Sequence, residues 1–128
     1  MSRLFAALLV FLFTVAVGCQ ESGPARYHLR GKVTFAGQPV PAGQIFFDPD
    51  ISKQNDGPAG FAFIKNGDFD TRLDGRSHIG GDHQIRIQAF DGKPGNELPL
   101  GRMMVPEYTT TANLPKAHGT QDFDVPKK

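Results

Sequence analysis

From His28 to Phe35 apolar and polar residues alternate. Leu29, Val33 and Phe35 share one face with Gly31 in line, and His28, Arg30, Lys32 and Thr34 take the other. A period of two predicts a strand with one face buried. Gly37, Pro39, Pro41 and Gly43 then punctuate the chain. The two prolines fix φ and withdraw two ladder donors, so this stretch reads as turn chemistry leading into a second strand. Gln44–Phe47 supplies that strand, rich in β-formers. Gly60–Ile64 predicts a third. Asn66-Gly67 is a strong hairpin signal, and Asp68–Leu73 alternates after it with Phe69, Thr71 and Leu73 on one face. His83–Phe90 alternates most clearly, with Ile85, Ile87 and Ala89 set against Gln84, Arg86 and Gln88. Arg102–Val105 reads as a short strand, Thr109–Leu114 as irregular, and Thr120–Val125 alternates again through Phe123 and Val125. Between these runs lie three turn-rich loops, Asp48–Gly57, Asp74–Asp82 and Lys93–Gly101. About seven short strands and no helical period predict an all-β, antiparallel, immunoglobulin-like sandwich.

The first residues follow another pattern. Arg3 precedes an apolar run, Leu4–Val17, broken by Thr14 alone. The run is short for a spanning helix, which needs roughly 20 apolar residues, and fits the apolar region of a signal peptide. Small residues and the single cysteine, Cys19, come next. Ala16-Val17-Gly18-Cys19 resembles a bacterial lipobox, which implies cleavage before Cys19 and acylation of that residue. An ordinary secretory signal and an uncleaved anchor are the alternatives. The expected organisation is a signal peptide at 1–18, a lipidated Cys19 with a polar tether at 19–26, and the sandwich domain at 27–128. Gln20 is not the Asp that resembles an inner-membrane retention signal, so the expected location is the cell envelope, outside the cytoplasm, at the outer membrane rather than the inner.

Composition narrows the partners. Without Arg3 the 14 Lys+Arg become 13, against 13 Asp+Glu. A near-neutral surface has no electrostatic footprint for nucleic acid and no polybasic patch for anionic lipid. Membrane contact is therefore expected through the N-terminal lipid. One cysteine allows no internal disulfide, so the core must carry stability. The 11 Phe and absent Trp suit an aromatic core, although several of the Phe lie in the signal.

Gly31-x-Val33, Gly37-x-Pro39-Val40-x-Ala42 and Ile45-x-Phe47 together resemble the opening of carboxypeptidase regulatory-like domains. Asn66-Gly67-x-Phe69, Gly81-x-His83-x-Ile85-x-Ile87, Pro106-x-Tyr108 and Phe123-x-Val125 extend the resemblance over about 100 residues. His83 stands where that family usually has Tyr. The resemblance implies a transthyretin-like seven-stranded sandwich within a small bacterial secreted lipoprotein. It also implies a non-catalytic module that binds or scaffolds envelope proteins or polysaccharide, without a cofactor. A small-ligand carrier of transthyretin type is an alternative, and a transthyretin-like hydrolase is another. Such hydrolases resemble one another in a closing Tyr-Arg-Gly-Ser and in paired His and Arg, whereas this chain closes on Asp124-Val125-Pro126-Lys127-Lys128. A convergent His/Arg/Asp cluster would keep the hydrolase open.

Two groups of residues invite a site. Asp48, Asp50, Asn55 and Asp56 make an oxygen-rich loop, but Asp48-Pro49-Asp50 followed by Ile51-Ser52-Lys53 lacks calcium-loop spacing. That loop is the expected contact surface. The four histidines are His28, His78, His83 and His118, and none of them pair at metalloprotease spacing. They read as surface or strand-end residues, so no metal is expected. His78, Asp82 and His83 are weak candidates should they converge.

Overall fold

A computed structural model describes residues 23–127. The expected signal peptide, Cys19 and the first tether residues lie outside that range. Gly23–Arg26 is exposed, and the chain joins the fold at Tyr27, which exchanges backbone hydrogen bonds with His78. Among the described residues there is no helix long and apolar enough to cross a membrane.

The strands are β1 (Leu29–Phe35), β2 (Gln38–Pro39), β3 (Ala42–Pro49), β4 (Gly60–Lys65), β5 (Asp68–Asp70), β6 (Gly75–Arg76), β7 (Gly81–Phe90), β8 (Tyr108–Leu114), β9 (Gly119–Thr120) and β10 (Phe123–Val125). One 3₁₀ turn, Ile51–Lys53, follows β3. Seven strands run in the order β10-β1-β5-β4-β3-β7-β8, and the two-residue strands β2, β6 and β9 attach beside them. The sheet is largely antiparallel and curls on itself, an arrangement consistent with a β-sandwich. Its exceptions are β9 and β10, which both run parallel to β1.

Alternation places the core. Ile45 and Phe47 of β3, Ala62 and Ile64 of β4, and Ile85, Ile87 and Ala89 of β7 are buried. They meet Leu29 and Val33 of β1, Phe69 of β5, and Phe123 and Val125 of β10. Val40, from the proline-bordered stretch, is also fully buried, so that turn both reverses the chain and contributes to the core. Burying each such aliphatic side chain contributes roughly 1.5–3 kcal/mol.

Several expectations are corrected. Thr109–Leu114 is most of strand β8, hydrogen-bonded to β7 from Gly81↔Leu114 to Ile87↔Tyr108. Arg102–Val105 is not a strand; it bridges to the sheet at Phe90↔Met103, and Val105 packs against the core. The segment at 120–125 divides into β9 and β10. Strand β5 stops at Asp70, because the Asp70 carboxylate accepts the Arg72 N–H at 2.8 Å and its carbonyl accepts from Leu73 and Asp74. Thr71 stays buried, while Leu73 turns outward and is 85% exposed. The core is also less aromatic than composition suggested. Phe47, Phe69 and Phe123 are buried, but Phe46, Phe61 and Phe63 lie half-buried on the outer face. The Arg86 guanidinium sits 4.4 Å from the Phe46 ring centre there.

Candidate functional site

The expected contact loop spends most of its polar groups on its own structure. Asp50 is buried, and its carboxylate accepts from the Ser52 N–H and hydroxyl, capping the 3₁₀ turn. Asn55 Nδ2 donates to the Gly80 and Asp82 carbonyls, tying this loop to the next. Asp48 pairs with Arg86 at 2.5 Å on the outer face of the sheet. Asp56 alone of the four is exposed and without a side-chain hydrogen bond among the described residues. The structure therefore does not bring these four groups to one point.

It does bring the histidines together, where surface or strand-end positions were expected. His28 and His118 stack with ring centres 5.2 Å apart. Tyr27 lies against both His118 and His78, and His78 meets His83 edge-on at 5.8 Å. His78 and His83 are fully buried. Backbone groups assign their tautomers. His78 Nδ1 accepts the Gly80 N–H at 2.9 Å, so Nε2 carries the proton. His83 Nδ1 donates to the Gly81 carbonyl at 2.8 Å, which leaves its Nε2 lone pair bare. Neither Nε2 has a partner among the described residues. A protonated Nε2 cannot ligate a metal, so His78 is not a ligand in this state. Asp82 belongs to the face opposite His83 and accepts from Asn113 at 3.1 Å. Among the described residues no three His, Cys, Asp or Glu are arranged to hold a metal.

His28 and His118 instead border a cleft of about 240 Å³, with Arg30, Asp70, Arg72 and Thr120. Three segments build it. Strand β1 and the residue before it supply Arg30 and His28, the end of β5 and its turn supply Asp70 and Arg72, and β9 and the residue before it supply Thr120 and His118. Beside it runs a larger cleft of about 570 Å³, whose lining includes Lys32, Phe63, Lys65, Asp68, Leu73 and Asp122. Arg30, Asp70 and Thr120 line both, so the two form one groove along the outer side of β1 and β5.

Comparison with known proteins adds little to this geometry. No family model matches the chain, and no curated protein matches it. Among solved structures it is similar to a DUF3823 family protein from Parabacteroides merdae, at 20% identity and a TM-score of 0.42. That likeness covers 79% of this chain but 46% of the other, so this chain spans less than half its length.

The groove has a charged wall and a partly apolar one. Lys32 pairs with Asp68 at 2.9 Å, and Lys65 with Asp74 at 2.8 Å, both in solvent. Such exposed pairs contribute little stability and are free to exchange partners. Phe63 and Leu73 add apolar surface between them. At the histidine end, burial first, then the Arg72 guanidinium and His118, hold the His28 imidazole below its usual value, with Asp70 acting in the opposite sense. Sequence reading missed this groove because its residues come from positions 28–32, 63–74 and 118–122. The one available signal was the outward alternation of His28, Arg30 and Lys32 on β1.

Proposed function

We propose that the chain is a lipid-anchored protein of the bacterial cell envelope, carrying a non-catalytic, transthyretin-like sandwich that binds polysaccharide in the β1/β5 groove. Cys19 would carry the lipid, and residues 19–26 would hold the domain off the membrane. The observation that carries the binding reading is the groove floor. β4 meets β5 at Lys65↔Asp68, and both edges of β1 are occupied: Arg30, Gly31 and Lys32 pair with Asp70, Phe69 and Asp68, while β9 and β10 take its far side. An extended peptide would find no free ladder there. A ligand in the groove is read by side chains: paired Lys and Asp, Thr120 and the Phe63 ring. Hydroxyl-rich saccharide suits that mixture, and about 570 Å³ falls within the usual size of ligand pockets.

A hydrolase is the second reading, because His28, Arg30, Asp70, Arg72 and His118 do converge. Two observations set it lower. His118 Nδ1 accepts the His28 N–H, so a neutral His118 ring presents an Nε2–H donor rather than a base. Among the described residues no Ser or Cys side chain lines the cleft.

The test is a bacterial glycan array probed with the chain and with Phe63→Ala, beside the intact mass of the chain from native membranes. Glycan binding that Phe63→Ala weakens, and acyl mass on Cys19, support the proposal. Absence of any bound glycan overturns the binding reading. Turnover of an ester or amide that His28→Gln abolishes would replace it with the hydrolase.

A further inference from the structure

We propose that the cleft formed by His28, Arg30, Arg72 and His118 is an oxyanion site, taking the carboxylate, phosphate or sulfate group of an acidic saccharide. The inference rests on the groove reading above and names the ligand class that groove would select.

The donors are set by the backbone around them. The His118 ring accepts the His28 N–H at its Nδ1, at 2.9 Å, which leaves Nε2–H as a donor. Thr71 Oγ1 accepts the Leu29 N–H at 3.0 Å, so its proton is free for His28 Nδ1, 3.2 Å away. With the hydroxyl as donor His28 keeps Nε2–H as well, and a protonated His28 presents that donor in either case. Neither ring nitrogen has a further partner among the described residues. The two guanidiniums are similarly uncommitted. Neither Arg30 nor Arg72 forms an ion pair with a described residue, and Arg30 Nε reaches only Thr120 Oγ1, at 3.5 Å. Among the described residues one carboxylate lines the cleft, that of Asp70, and its Oδ1 already receives the Arg72 N–H. Two guanidiniums against one carboxylate leave a formal +1 with the rings neutral, and more once His28 is protonated. Arginine forks match the planar or tetrahedral oxygens of an oxyanion. At about 240 Å³ the cleft is smaller than an ordinary ligand pocket, which suits one charged group with its attachment, the remainder of the ligand lying along the groove.

The stacked rings make the site responsive to pH. Without an anion, His28 gains a proton against Arg72 and His118, with Asp70 acting in the opposite sense. A bound oxyanion removes that penalty, so by linkage binding strengthens as pH falls through the imidazole range.

The test titrates the purified full-length chain in detergent with inorganic phosphate, with glucuronate and with neutral glucose, following the imidazole NMR signals of His28 and His118. Saturable shifts with phosphate or glucuronate, absent with glucose and at least tenfold weaker in Arg72→Gln, support the site. The charged probe that saturates tells a phosphate or sulfate ester from a uronic acid. His28→Gln removes the His28 imidazole from the site, so it should weaken binding more at pH 6 than at pH 8. Linear shifts that Arg72→Gln leaves unchanged would overturn the site. The two proposals fail separately: neutral glycans bound on the array without an oxyanion response sink only this site. Oxyanion saturation without array binding sinks the polysaccharide reading and the saccharide carrier with it, and leaves the oxyanion cleft standing.

Discussion

Acid should weaken this fold through one buried imidazole. His78 has no exposed surface, and burial, followed by His83, His28 and His118, lowers its pKa from 6.5 to about 4. Protonation would place a charge in the core and end the Gly80 N–H bond to Nδ1. The folded value lies below the unfolded one, so the unfolded chain takes up the proton first as pH falls. Stability from this group is complete above 6.5 and is lost progressively toward pH 4. A shift from 6.5 to about 4 corresponds to roughly 3 kcal/mol, of which about 2 kcal/mol is gone by pH 5. Whole domains are stable by about 5–15 kcal/mol, so the loss is large. The informative variant is His78→Asn. Its side-chain oxygen can accept the Gly80 N–H two residues on, as Asx turns do, and it does not titrate. The variant should be less stable at pH 7 by about 1–3 kcal/mol for the volume removed. Urea melts at pH 7, 6, 5 and 4.5 would measure both proteins, with carboxylate effects cancelling in the difference. The gap should narrow as pH falls. Parallel stability curves for the two would refute the assignment.

Two further perturbations test the backbone. Ala36 and Gly37 link β1 to β2 with φ of 52° and 79°, a conformation alanine adopts at a cost and asparagine accepts more readily. Ala36→Asn should therefore raise stability by about 0.5–1 kcal/mol in urea denaturation, and a loss would show that the side chain matters otherwise. Gly31→Ala should cost about 1–3 kcal/mol or more by the same assay, since its Cβ would lie 1.9 Å from the Gln121 carbonyl oxygen. An unchanged midpoint would mean that the β9–β10 segment moves aside freely.

What could be read along the chain depended on whether burial and alternation coincided. In β1, β3 and β7 they do, so strand, face and core residues were all legible. Strand β8 also alternates, but its inward positions include Thr110 and Ala112, too polar or too small to mark a face. Pairing to β7 makes it a strand, and that is a long-range fact. Leu73 failed in the opposite sense, in phase with Phe69 but carried outward by the turn that Asp70 caps. His83 was legible in retrospect, since it continues the inward series of Ile85, Ile87 and Ala89. His78 was not, because it reaches His83 only through the turn at Gly80 and the Tyr27 bridge.

The groove depends on the same local event that makes Gly31 necessary. Strands β9 and β10 both lie parallel to β1, at Leu29↔Gly119 and Val33↔Phe123, yet the ladder between them is interrupted opposite Gly31. There the Gln121 carbonyl occupies the space a Cβ would take. The chain stays attached through the Gln121 N–H to the Arg30 carbonyl at 2.9 Å, and through the Lys32 N–H to Asp122 Oδ1 at 2.8 Å. Breaking pairing over a short span, as a bulge does, re-aims the side chains that flank it. Those side chains are Thr120 and Asp122, which form one wall of the groove, while Arg30 and Lys32 rise from its floor. A residue larger than glycine at 31 would push the β9–β10 segment away from β1 and separate Thr120 from Arg30. Stability and ligand recognition should therefore fall together in Gly31→Ala, whereas Arg72→Gln should lower recognition alone.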